Sequence, residues 1–202
     1  MNQAQVAVST EITRPAVPAA LRYGAAVVLG SLLVAVCAHV SIPLLFTPVP
    51  ITLQPFAVLL LGLLLSPATA FAALALYLVE GAAGLPVFTP HGPGGMLQLF
   101  GPTGGYLLSY PFVAAFTSVL ARRIGRSFAA YALSAAAGSV LILAMGASWL
   151  AMITHQPMAT VLKLAVWPFL PGDALKVFAA AGIAVGYTRF RNRFRGHSAP
   201  AQ

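Results

Sequence analysis

The sequence predicts an all-α integral membrane protein, a bundle of six transmembrane helices joined on one side by long loops. Three observations predict it: composition, the spacing of apolar runs, and the placement of arginines. Of 202 residues, 59% are hydrophobic and 7% are charged, and the mean hydropathy is +0.90. A water-facing globule needs far more charge to cover its surface. A helix needs roughly 20 apolar residues to cross about 30 Å of hydrocarbon. The length therefore fits five or six spans with short connections and excludes a separate soluble catalytic domain.

Residues 1–20 are polar, with Glu11, Arg14, Pro15 and Pro18, and predict a disordered cytoplasmic tail. Apolar runs follow at about 21–39, 53–65, 67–83, 105–121, 128–153 and 174–189, which makes 21–190 the membrane domain. VAVC at 34–37 resembles a lipoprotein cleavage box, but Val36 stands where that box needs a small residue, so the first run reads as an uncleaved helix. The junction Ser66-Pro67 admits one Pro-kinked helix or two helices with a tight turn.

Arginine placement decides the junction. With six spans, Arg14, Arg22, Arg122, Arg123, Arg126, Arg189, Arg191, Arg193 and Arg195 fall on one side; with five, the first two face away from the rest. Positively charged residues collect in cytoplasmic loops, which predicts six spans with both termini cytoplasmic. RFRNRFRG at 189–196 leads into a basic cytoplasmic tail, 191–202, that meets anionic lipid headgroups. The net charge of +8 thus reports topology and implies no nucleic-acid partner.

The three outer connections, SIPLLFTPVPIT at 41–52, the Gly/Pro-rich segment 84–105, and 155–172, are long and apolar. Long connections with no evident secondary structure are uncommon unless functional. These are expected to fold as extracellular lids over a pocket.

Only three acids occur in the chain, and one of them, Asp173, lies three residues before Lys176 in WPFLPGDALK. Asp173 suits a helix cap or first turn. Lys176 in a first turn opposes the helix dipole. The two share a helix face, so either they pair with each other or they bind a guest. Ionisable groups within a membrane are costly and usually mark a substrate or ion path. Glu80 either pairs with Lys176 or Lys163 or joins the site. GPTGGYL at 101–107 lacks the GK[ST] of a phosphate-binding loop and is either a carboxylate cradle or an ordinary turn before a helix.

His39, His91 and His155 map to the outer side, but their spacing fits no metal motif. The single Cys37 excludes intrachain disulfides and cysteine-rich metal sites. Trp149, Trp167 and Tyr110 read as interfacial aromatics, with Trp167 also placed to stack on a ligand ring. Small residues four apart, Ala26 with Gly30 and Ser31 with Ala35, permit close helix contact, either within the bundle or with another subunit. No nucleophile–base pair supports an enzyme. No ATP motif is present, so uphill transport needs a partner or an ion gradient.

SIPLLFTPVPITLQPFAVLLLGLLLSP, GAAGLPVF, GPTGGYLL and FLPGDALK, in this order, resemble the BioY family, the biotin-binding S-components of energy-coupling-factor (ECF) vitamin transporters. The resemblance covers about residues 22–190. It implies a subunit of the bacterial plasma membrane that captures biotin at its outer face, has no cofactor, and associates with a transmembrane coupling protein and two ATPases that alone use ATP. Asp173 and Lys176 would bind biotin; Phe88, Tyr106 and Trp167 would wall its apolar body; Gln54 and Thr103 would supply neutral hydrogen bonds. Ala26 and Gly30 would form the docking surface. The competing class is a stand-alone ion-coupled carrier for a small anionic metabolite, against which the chain shows no internal repeat.

Overall fold

The computed structural model describes residues 18–196, with side chains to residue 193. The N-terminal tail through residue 17 and residues 197–202 of the C-terminal tail lie outside the described residues. The first helix, α1 (Ala19–His39), starts behind Pro18, whose missing N–H costs nothing at a helix start. α2 (Gln54–Leu64) and α3 (Pro67–Ala82) are separate helices with a tight turn between them. Ser66 Oγ caps α3 by accepting from the Thr69 amide at 3.2 Å, and Pro67 takes the first helical position. The chain continues through α4 (Gly95–Phe100), α5 (Gly104–Ile124), α6 (Phe128–Thr154), α7 (Met158–Ala165) and α8 (Leu170–Gly196).

The connections on the α4 and α7 side are more structured than their composition suggests. The first holds a short antiparallel ladder, β1 (Ser41–Ile42) with β2 (Ile51–Thr52), in the register Ser41 to Thr52. The Leu53 amide extends it by donating to the Val40 carbonyl at 3.0 Å. The second connection carries α4, and the third carries α7. Prolines and glycines concealed both helices, since each is shorter than three turns and gives little periodicity. The last helix also differs from expectation. It begins at Leu170 rather than 174, because Pro171 and Gly172 are tolerated in a first turn, and it runs through Gly196 into the basic tail.

By length and composition, α1, α5 and α6 can each cross a membrane, and α7 with α8, bent by 54° at their break, qualify together. α2 and α3 are apolar but shorter, at 11 and 16 residues. α2 is the centre of the bundle, packed by α1, α5, α6 and α8. Every residue from Ala57 to Leu63 is buried. α1 leans mainly on α3 and leaves Val28, Leu29, Leu32 and Val36 exposed, the composition of a lipid-facing side.

Small residues set how closely the helices approach. Gly30 is buried against α3, and a Cβ there would stand 2.8 Å from the Ala73 Cβ. The small size of Gly30 serves the α1–α3 contact. At Gly105 an added Cβ would meet the Trp149 Cβ at 2.2 Å and the Met145 carbonyl oxygen at 2.7 Å. That backbone cannot yield cheaply. Gly105→Ala is expected to destabilise the protein by about 1–3 kcal/mol, read as a lower unfolding temperature in detergent. Gly182→Ala, with no atom within 4 Å of the new methyl, is the control and should be neutral or slightly stabilising. Equal behaviour of the two variants would remove close packing as the cause.

Candidate functional site

The break before α8 positions the two costly charges. Asp173 lies in the first turn of α8, its amide already donating to the Phe169 carbonyl at 2.8 Å. It is therefore inside the helix, and its carboxylate turns away to side chains. Oδ1 accepts from Lys176 Nζ at 2.8 Å, and Oδ2 accepts from Ser139 Oγ of α6 at 3.2 Å. Asp173 is 5% and Lys176 8% exposed. The i, i+3 spacing brings them together on one face, as the sequence requires.

The pair opens onto a cavity bounded by α2, α5, α6 and α8. Lys176 carries three N–H donors, of which Asp173 takes one. Thr89, 5% exposed, lines the same cavity, and its hydroxyl has no hydrogen-bond partner. A buried polar atom without a partner is costly, so the cavity holds hydrogen-bonding capacity that the protein does not use. Tyr106, Tyr110, Phe169, Leu107 and Ile142 supply the apolar part of the wall. The combination of apolar wall and few placed polar groups is the usual make-up of a small-molecule site.

Several wall residues are braced by hydrogen bonds to neighbouring elements. The Gln54 amide donates to the Tyr77 hydroxyl and accepts from Thr52 Oγ1 at 3.2 Å. Tyr77, fully buried, packs edge-on against Phe88 at 5.3 Å between ring centroids. Tyr106 donates its hydroxyl to the Ala165 carbonyl at 2.7 Å, tying α5 to the end of α7. Gln98 donates to Thr103 Oγ1 at 2.8 Å and accepts from the Gly94 amide at 3.3 Å, which locks α4 to the start of α5. A second cavity beside the first shares Pro50, Thr89, Gln98 and Thr103 with it. Those residues form the partition between the two.

The structure brings Gln54, Thr103, Tyr106, Asp173 and Lys176 together in one wall. It does not bring in the other three. Phe88 is buried edge-on against Tyr77 and does not line the cavity. Trp167 is 64% exposed because the α7–α8 break turns it outward. Glu80 accepts from Ser31 of α1 and is paired with neither lysine. Of the remaining sequence candidates, Trp149 donates its indole N–H to the Gly101 carbonyl at 2.9 Å, so it is more than an interfacial aromatic. In GPTGGYL, Gly104 and Gly105 serve close packing: a Cβ on Gly104 would lie 2.0 Å from the Leu99 carbonyl oxygen. His91 lines the second cavity, and His155 ends α6 with φ of 52°.

Residues 7–193 match the profile of the BioY family. The chain belongs to the BioY family. It is 39% identical over 137 residues to the probable biotin transporter BioY of Pyrococcus horikoshii, spanning 68% of this chain and 79% of that one. It is also 39% identical over 153 residues to the biotin transporter BioY of Thermotoga maritima, spanning 76% and 88%. A crystal structure of the S-component for biotin from an ECF-type ABC transporter superposes with a TM-score of 0.79 at 23% identity, covering 86% of this chain and 95% of that chain. The two share a fold.

Within this BioY-family chain, sequence reasoning missed Thr89, Gln98, Tyr110 and Phe169 as cavity residues. Gln98 carried a signal, as a lone amide in the apolar run MLQLF, and Phe169 sits inside the motif that holds Asp173. Tyr106→Phe should lower the unfolding free energy by about 0.5–1.5 kcal/mol, the worth of one hydrogen bond. Thermal unfolding in detergent measures it, and unchanged stability would mean that the Ala165 carbonyl has another donor.

Proposed function

We propose that this chain captures biotin with high affinity at the outer face of the bacterial plasma membrane, as the substrate-specific subunit of an ECF transporter. Family membership and the names of its relatives support the vitamin. The observation that carries the reading is chemical: a dehydrated Asp173–Lys176 pair with unused donors, open to an apolar cavity. Biotin has a ureido group with two N–H donors and a carbonyl, an apolar thioether ring and chain, and a carboxylate. Asp173 accepts from a ureido N–H. Lys176 offers its remaining N–H groups to an acceptor on biotin, either the ureido carbonyl or the carboxylate. Gln54, Thr89 and Thr103 add neutral hydrogen bonds, while Tyr106, Tyr110 and Phe169 enclose the apolar body.

In this reading α2 and α3 are the second and third of six spans, and both termini are cytoplasmic. α2 is about 16 Å long at 1.5 Å per residue, half the hydrocarbon thickness. The connection through β1 and β2 completes its crossing, and non-helical backbone is tolerated at that depth because it lines a cavity. The segments 41–52, 84–105 and 155–172 close over the bound vitamin as lids. Uptake is driven by a transmembrane coupling protein and ATPase subunits, and α1 supplies the docking face around half-buried Ala26.

Asp173→Asn should weaken biotin by about 1.5–3 kcal/mol, the range for a hydrogen bond to a charged group. Calorimetric titration of detergent-purified protein measures it, and a variant with wild-type helical content and unaltered affinity would exclude Asp173 as a contact. For Ala26→Trp the expected result is biotin binding retained with co-purification of the ATPase module lost. Undiminished co-purification would place docking elsewhere.

A further inference from the structure

At the other end of the bundle a further cavity has no part in the biotin reading. It lies between the α5–α6 turn and the last turns of α8, about 27 Å along α8 from Asp173 at 1.5 Å per residue. Its volume is about 330 Å³. Arg122, Arg126 and Arg191 line it, together with Tyr131 and Thr188, whose hydroxyls share a 3.1 Å hydrogen bond. Arg122 is partly engaged, donating to the Leu65 carbonyl at the end of α2 at 3.3 Å. Arg191 lies over the Tyr187 ring at 5.9 Å, and its buried Nε has no hydrogen-bond partner. The two acids among the described residues, Glu80 and Asp173, are both held at the opposite end; the third, Glu11, lies outside the described residues.

Three arginines lining one cleft, with no carboxylate among its described lining residues, repel one another, and the concave site focuses their field. An anion with several acceptor oxygens relieves this, and guanidinium matches phosphate in geometry. The floor of the cavity is apolar, formed by Leu63, Leu64 and Ala121. Ile124 and Phe128, on the same turn as Arg126, are 45% and 47% exposed. In a membrane protein such exposed apolar groups beside a basic cleft meet acyl chains, so the anion comes attached to a hydrocarbon body. We propose that this cavity binds the phosphate of an anionic phospholipid headgroup, with Arg126 and Arg191 as its charged contacts.

The test uses the full chain purified in detergent and stripped of lipid, with phosphatidylglycerol, phosphatidylcholine and inorganic phosphate as probes. Native mass spectrometry counts retained lipid. Phosphatidylglycerol should be retained in preference to phosphatidylcholine, and Arg126→Gln or Arg191→Gln should each reduce its retention about five-fold, while Arg126→Lys, which keeps the charge, retains most of it. Monodisperse elution and unaltered helical content certify each variant as folded, and Arg126 lies on an exposed turn where replacement disturbs no core. Equal retention of both lipids, or glutamine variants that hold phosphatidylglycerol as well as wild type, would overturn the proposal. Displacement of phosphatidylglycerol by millimolar inorganic phosphate would assign the site to a soluble anion and overturn the lipid assignment.

Discussion

The fold is organised around one expensive interaction, the ion pair between Asp173 and Lys176 inside a largely apolar bundle. Removing both charges from water costs several kcal/mol for each ion, and mutual attraction alone rarely recovers it. Here the geometry is good, with a 2.8 Å contact and a serine hydroxyl on the second carboxylate oxygen. Two lysine N–H groups still lack a protein acceptor. A buried pair satisfied on one side only is a poor device for stability and a suitable one for holding a polar guest.

The scaffold keeps that pair in place by spending its small residues on close helix contact and its buried hydroxyls on bracing. Gly30 and Gly105 bring α1 to α3 and α5 to α6. The Tyr77–Gln54 and Tyr106–Ala165 bonds fix the cavity wall from behind. The hydrophobic effect drives none of these contacts within a membrane, because lipid tails are as apolar as leucine; packing, internal hydrogen bonds and lipid entropy must do it. The exposed apolar faces of α1 and α5 are the natural complement of that rule.

Helix positions were largely legible in the sequence because long apolar runs and arginine clusters are strong signals in a membrane chain. The turn at Ser66-Pro67 was readable for the same reason, through the charges far from it. The Asp173 and Lys176 partnership was readable because charges are so rare here. What escaped was whatever depends on tertiary direction. Trp167 and Phe169 are two residues apart in one motif, yet the α7–α8 break turns one outward and the other into the cavity. Glu80 faces α1, and Thr89 and Gln98 reach the cavity only through the folding of a Gly/Pro-rich segment whose periodicity is too short to read. That Gly30 packs against α3 was not readable either, because spacing alone cannot say which neighbouring helix a small residue faces.

α2 has 11 residues, and its first, Gln54, lines the recess together with Val49, Pro50 and Thr52 of the connection before it. The start of α2 is thus part of the recess wall. Moving the start of α2 along that connection would reshape the recess. The outward apolar side of α1, with Val28, Leu29, Leu32 and Val36, contributes nothing to the recess, so the two can change separately.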